Sequence, residues 1–156
     1  MTQSLLLTSS RAVPVSPETA YDRVLPTPLP TIFRRRYGVI PPVRRTEGPE
    51  AWGIPGQTRT VVLADGGRVT EELLTTDRPR RFTYRLSDVH GAMRPLASEI
   101  EGAWSFDPVG TGTRIAWTWA VRPASRAAAL ALPAFGRVWR GYARQALEEV
   151  ERLLLG

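Results

Sequence analysis

Apolar and polar residues alternate almost without interruption in the segment GTGTRIAWTWAVRP, residues 110–123. One side of an extended chain would carry the apolar residues Ile115, Trp117, Trp119 and Val121. Because side chains of a β-strand point alternately to its two faces, this pattern predicts a strand with one broad apolar face. Two neighbouring indoles bury roughly 150–250 Å² each. Another layer of the protein must therefore cover this face.

The same alternation recurs upstream and predicts a meander of antiparallel strands. Four strands are predicted between residues 57 and 107, over 57–64, 68–75, 81–89 and 97–107. Asp65-Gly66-Gly67 joins the first two as a hairpin, since glycine tolerates the positive φ that such a turn requires. Residues 5–15 predict a further strand near the N-terminus.

Two short helices are predicted after that first strand. Ser16 is a good N-cap and Pro17 suits the first helical position, so a helix is expected over 17–25. A second is expected over 29–37, ending near Gly38.

The last segment has a helical period. Between Trp139 and Leu154, apolar residues recur at three- and four-residue steps, which predicts an amphipathic helix that begins as early as Ser125. Six or seven strands at about 4.8 Å spacing form a sheet near 30 Å across, whereas one helix is only about 10–12 Å thick. A curved sheet wraps such a helix and leaves apolar space between them. The alternative is that large aromatic side chains fill this space completely.

Composition indicates one ordinary globular domain over residues 1–156, with 42% hydrophobic and 23% charged residues. There is no cysteine, which excludes disulfides and thiol catalysis. The N-terminus lacks the pattern of a signal peptide, and no apolar run is long enough to span a bilayer. A cytoplasmic location is the expectation.

The net charge of +6 changes this picture little. All 21 basic residues are arginine, and the arginines are spread along the chain. Nucleic-acid-binding proteins concentrate positive charge on one face or one helix. We therefore expect no nucleic-acid partner, and the sequence leaves open whether the chain forms a homodimer.

Several segments, taken in order, are similar to those of a known family: AVPVSPETAYDRV, LADGGRVTEELL, RPRRFTYRL, EGAWSF, GTGTRIAWTW and ALEEVERLL. Across roughly residues 5–154 the chain resembles the START-related SRPBCC superfamily, which includes the polyketide cyclase/dehydrase and lipid-transport group. The resemblance implies an α+β helix-grip fold, in which a curved antiparallel sheet wraps a long C-terminal helix and encloses a pocket for an apolar molecule. It implies no catalytic residue, because the activities of the family differ widely.

The candidate pocket residues are the inward aromatic side chains and a few polar neighbours: Glu71, Phe82, Tyr84, His90, Met93, Trp104, Trp117, Trp119, Phe135 and Trp139. Glu71 and Glu72 are adjacent on one strand, so one of them must point inward if that strand is covered. A buried carboxylate would have a raised pKa and could act as an acid or base. His90 follows a strand and could lie at the pocket mouth or simply in an exposed loop. Tyr84 is either a hydrogen-bond donor to the ligand or an ordinary core residue.

One histidine and no cysteine make a metal site unexpected, and no cofactor is predicted. The sequence favours binding or carriage of a lipid-like or polyketide-like molecule. One alternative is an enzyme of the cyclase or dehydrase type that uses the same pocket. Another is a regulatory or interaction protein whose core is filled. Inward polar groups at the pocket floor would favour the enzyme, and a dry apolar pocket would favour carriage.

Overall fold

The computed structural model describes residues 4–156 and places seven strands in a single antiparallel sheet. The elements follow one another as β1 (Leu5–Val13), α1 (Pro17–Val24), α2 (Leu29–Ile32), β2 (Val43–Glu47), β3 (Thr58–Leu63), β4 (Arg68–Asp77), β5 (Arg81–His90), β6 (Ala97–Val109), β7 (Gly112–Pro123) and α3 (Arg126–Leu155). The strand order across the sheet is β1-β7-β6-β5-β4-β3-β2. The curved sheet and the long C-terminal helix form the predicted helix-grip fold.

The inner face of the sheet is the apolar face that the alternation predicted. Ile115, Trp117 and Val121 of β7 are buried, and Trp119 is half-buried. Trp117 and Trp119 both lie against Trp139 of α3, with ring centroids 4.9 and 5.7 Å apart. The two indoles of β7 thus face the helix.

Helix α3 is anchored at its start by Ser125, whose Oγ accepts a hydrogen bond from the Ala128 backbone N–H at 3.1 Å. At about 1.5 Å per residue its 30 residues extend about 45 Å. Its buried face packs against β1 and β7, while α1 and α2 contact it from the side. The helix therefore covers the part of the sheet that contains β1 and β7. Strands β2 to β5, on the other side of β6, must be covered by other parts of the chain.

The second short helix is four residues long, so the prediction of a helix over 29–37 is wrong in its extent. Phe33 leaves the helical conformation, and its carbonyl accepts a hydrogen bond from the Val43 backbone N–H at 2.8 Å. Farther on, Tyr37 and Ile40 form a tight turn around Gly38, whose φ is +56°. One hydrogen bond to β2 and the turn at Gly38 thus replace the continuation of the helix.

The boundaries of the other predicted elements agree with the structure to within a few residues, and α1 begins at Pro17 with Ser16 as its N-cap, as expected. The Ser16 Oγ accepts a hydrogen bond from the Thr19 backbone N–H at 3.1 Å. Within residues 4–156, none of the helices combines the length and the apolar character needed to cross a membrane.

Candidate ligand-binding site

An apolar cavity of about 170 Å³ lies between the inner face of the sheet and the helices. Strands β3 to β7 supply its floor, and α2 with the following segment closes one side. Phe135 and Tyr142 of α3 close the other side. The expected space between sheet and helix therefore exists, and aromatic side chains form part of its wall.

The cavity wall includes every predicted pocket residue except Trp139. The included residues are Glu71, Phe82, Tyr84, His90, Met93, Trp104, Trp117, Trp119 and Phe135. Trp139 is fully buried, and Trp117 and Trp119 lie between it and the cavity. It supports the wall from behind.

The aromatic wall is a continuous set of contacts. Trp104 and Trp117 stack with their ring centroids 5.5 Å apart and their planes 16° from parallel. Trp119 meets Trp117 edge-on at 5.5 Å. Such offset and edge-on pairs are favourable arrangements of aromatic rings. The wall thus presents flat, rigid surfaces to the space.

One pair of charges interrupts the apolar wall. Arg59 Nε donates a hydrogen bond to Glu71 Oε1 at 2.6 Å, and the two side chains are only 8% and 6% exposed. The guanidinium carbon of Arg59 also lies 3.9 Å from the centroid of the Trp52 ring, a cation–π contact. Burial raises the pKa of the Glu71 carboxyl, and the neighbouring Arg59 offsets part of this rise. Because the charges are paired, this part of the wall is polar but has no net charge.

Register explains why Glu71, and not Glu72, points inward. Arg59 pairs directly with Glu71 across β3 and β4, and Val61 pairs with Val69 two residues nearer the turn. All four side chains line the cavity. Glu72 points to the opposite face, where its Oε1 lies 3.6 Å from Arg85 Nη1.

A second polar group is formed by Tyr84, Trp117 and Trp119, here called the indole–tyrosine cluster. The indole N–H groups of Trp117 and Trp119 both donate to the Tyr84 hydroxyl oxygen, at 2.7 and 2.9 Å. Burial is the main cause that raises the pKa of Tyr84, and the nearby Glu71 raises it further. Tyr84 is therefore a neutral hydroxyl in the cavity wall at any ordinary pH.

The open side of the cavity carries the exposed residues of its wall. Val39 is 72% exposed, and Asp65, Arg68 and His90 surround the opening with it. His90 Nε2 lies 3.2 Å from Asp88 Oδ1, and both side chains are mostly in solvent. His90 thus occupies the mouth and not the interior.

Two residues that shape the site were not among the predicted ones. Arg59 alternates with Val61 and Leu63 on β3, a pattern that already indicates an inward side chain. Gly102 interrupts the apolar face of β6 opposite Tyr84, and a Cβ there would come within 2.0 Å of the Tyr84 ring. Its role depends on a contact across strands, for which the sequence gives no direct signal.

No group of three or more potential metal-ligating side chains occurs in the part of the chain that the structure describes. The side chains that line the cavity can supply apolar contact, hydrogen bonding and proton transfer.

A family model described as polyketide cyclase / dehydrase and lipid transport matches residues 5–154. The chain belongs to this family. The resemblance to the SRPBCC superfamily, stated on the sequence, is thereby confirmed. No curated protein matches the chain in sequence.

Solved structures share the fold of this chain at low sequence identity. Ara h 8.0201 has a TM-score of 0.72 at 14% identity, with 97% of this chain and 98% of that chain covered. The protein TTHA0849 from Thermus thermophilus has a TM-score of 0.71 at 19% identity, with 97% of each chain covered. DynU16, from the dynemicin biosynthetic locus, has a TM-score of 0.62 at 14% identity, with 96% of this chain and 46% of that chain covered. These similarities establish the fold.

Proposed function

We propose that this chain binds one small apolar molecule in the cavity between the sheet and α3. The observation that supports this proposal is an apolar cavity of about 170 Å³. Apolar cavities of about 150 Å³ stay dry and bind ligands such as benzene. Water gains little in such a space, so an apolar molecule has no strongly held solvent to displace.

The volume also limits the ligand. Pockets for drug-sized molecules are roughly 300–1,000 Å³, well above the about 170 Å³ of this cavity. A molecule of one or two rings is the best match, and the flat walls of Trp104 and Trp117 favour an aromatic one. A longer lipid-like or polyketide-like ligand would have to extend past Val39 into the mouth.

Iodobenzene is a suitable probe, because iodine quenches tryptophan fluorescence on contact. We expect saturable quenching with one site per chain, since three tryptophans of the aromatic wall line the cavity. Val69→Phe adds a ring to the cavity wall and should weaken the binding at least tenfold. Leu130→Phe makes the same kind of change on the outside of α3, where Leu130 is 86% exposed, and should bind as the wild type does. Quenching that stays linear with concentration in the folded protein would contradict the proposal.

A second candidate, an enzyme of the cyclase type, is favoured by Glu71. Cyclisation of a polyketide-like chain begins when a base removes a proton from the carbon beside a ketone. Glu71 is a buried carboxyl with a raised pKa in the cavity wall, as a general base requires. Its ion pair with Arg59 makes it a weaker base than an unpaired carboxylate would be, which is why binding remains the first proposal.

Hydrogen exchange at carbon distinguishes the two candidates. In D₂O, an enzyme with this base would accelerate deuterium uptake into the methyl group of bound acetophenone, measured by proton NMR. Glu71→Gln should lower that rate by about 10²–10⁴-fold if Glu71 is the base. Exchange no faster than in buffer, with acetophenone shown to be bound, would leave the chain a binding protein.

A further inference from the structure

The Tyr84 hydroxyl has a proton that no group of residues 4–156 accepts. Its oxygen already receives two hydrogen bonds, from the indole N–H groups of Trp117 and Trp119. A phenol has one proton to donate, and that proton must point away from both indoles. Among residues 4–156, no acceptor takes it. The side chain is 6% exposed and lines the cavity, so the free donor lies in a largely apolar space.

Strand register builds this arrangement. Tyr84 of β5 is paired with Gly102 of β6, and Gly102 is paired in turn with Trp119 of β7. Because Gly102 has no side chain, the Tyr84 ring lies across the middle strand and its oxygen reaches the two indoles. The position of the hydroxyl is therefore fixed by three strands and not by one flexible side chain.

The two indole bonds also affect the strength of the donor. Hydrogen bonds in a chain polarise one another, so an oxygen that accepts two of them donates its own proton more strongly. An unsatisfied polar group in a buried space is costly, and the ligand that satisfies it gains accordingly.

The charges nearby indicate which kind of acceptor suits the donor. Arg59 and Glu71 neutralise each other in the same wall. A charged ligand would lose its hydration without finding an unpaired opposite charge, which is unfavourable. A neutral carbonyl oxygen needs only a donor.

We propose that the ligand is a small neutral aryl carbonyl compound whose oxygen accepts a hydrogen bond from the Tyr84 hydroxyl of the indole–tyrosine cluster. This inference rests on the proposed function, because it requires that the cavity binds an apolar molecule. It adds the single polar contact that orients the ligand. The aromatic ring of the ligand would then lie along the wall formed by Trp104 and Trp117.

Two probes of the same shape test the proposal. Acetophenone has a C=O group where α-methylstyrene has C=CH₂, so only the first can accept the hydrogen bond. The infrared C=O stretch of bound acetophenone should lie at lower frequency than in an alkane solvent. In Tyr84→Phe the band should return towards its alkane position, and affinity for acetophenone relative to α-methylstyrene should fall about tenfold, as for loss of one hydrogen bond.

Two further variants separate the hydrogen bond from general damage. Trp119→Phe removes one of the two indole donors and keeps Tyr84, so the band should shift less than in the wild type. Met93→Leu changes an apolar part of the wall, so the affinities for both probes should change in parallel and the band should stay in place.

The possible failures are distinguishable. If neither probe binds to the folded wild-type protein, both the proposed function and this inference are wrong. If both probes bind and the C=O band of the wild-type complex lies at its alkane position, only this inference is wrong. That measurement needs no variant and decides the question even if Tyr84→Phe does not fold.

Discussion

Trp117 and Trp139 are neighbouring buried indoles that differ in one hydrogen bond. The N–H of Trp117 donates to Tyr84 at 2.7 Å. The N–H of Trp139 is buried and has no hydrogen-bond partner in the described chain. Leaving a buried donor unpaired costs about 1–3 kcal/mol. Trp139 therefore contributes to stability through its contacts alone, against the cost of its own N–H.

This difference predicts the order of two substitutions. Trp117→Phe and Trp139→Phe both replace a buried indole with a smaller phenyl ring. The N–H that is lost is hydrogen-bonded in Trp117 and unpaired in Trp139. We expect Trp139→Phe to lower the free energy of unfolding by about 1–3 kcal/mol less than Trp117→Phe does. Urea denaturation of both variants and the wild type measures it. An equal or larger loss for Trp139→Phe would contradict the prediction.

At the scale of residues, the sequence predicted the wall of the cavity better than its polar chemistry. Glu71 was among the predicted residues, and counting outward from the turn at Asp65 pairs it with Arg59, which could therefore also have been identified. The contact of Tyr84 with two indoles could not be found this way. It requires that a ring cross Gly102 to reach a third strand, which depends on the twist of the sheet as well as on pairing.

At the scale of elements, period and turn chemistry predicted the strands and the C-terminal helix because those signals are local. The second short helix was extended too far because its end depends on a distant bond, from the Val43 N–H to the Phe33 carbonyl. Trp139 of α3 likewise has a position that depends on contacts distant in the sequence. Its place on the apolar face of the helix was predictable, but its position behind Trp117 depends on how the helix sits on the sheet.

At the scale of the whole molecule, the absence of lysine and cysteine simplifies the titration of the chain in alkaline solution. All 21 basic residues are arginine, which stays protonated in proteins. Side-chain titration between about pH 9 and pH 12 therefore belongs to the tyrosines. Burial raises the pKa of Tyr84 and of Tyr142, and burial together with Asp22 raises that of Tyr21. Three of the four tyrosines thus favour the protonated form in the folded chain.

These shifts predict a loss of stability that begins near pH 10. Above the ordinary tyrosine pKa of about 10 the unfolded chain binds fewer protons than the folded chain, so the free energy of unfolding falls as pH rises. Each such tyrosine contributes a slope of up to about 1.4 kcal/mol per pH unit. Urea denaturation between pH 8 and 11.5 should show little change up to about pH 9.5 and a steep decline above it. Tyr142→Phe removes one buried phenol, whose hydroxyl donates to the Pro41 carbonyl at 3.3 Å. The loss of this hydrogen bond changes the free energy of unfolding at pH 8 but not its dependence on pH. Above pH 10, the free energy of unfolding of Tyr142→Phe should fall less steeply than that of the wild type, by the equivalent of about one proton. An unchanged slope would show that Tyr142 ionises as readily in the folded chain as in the unfolded one.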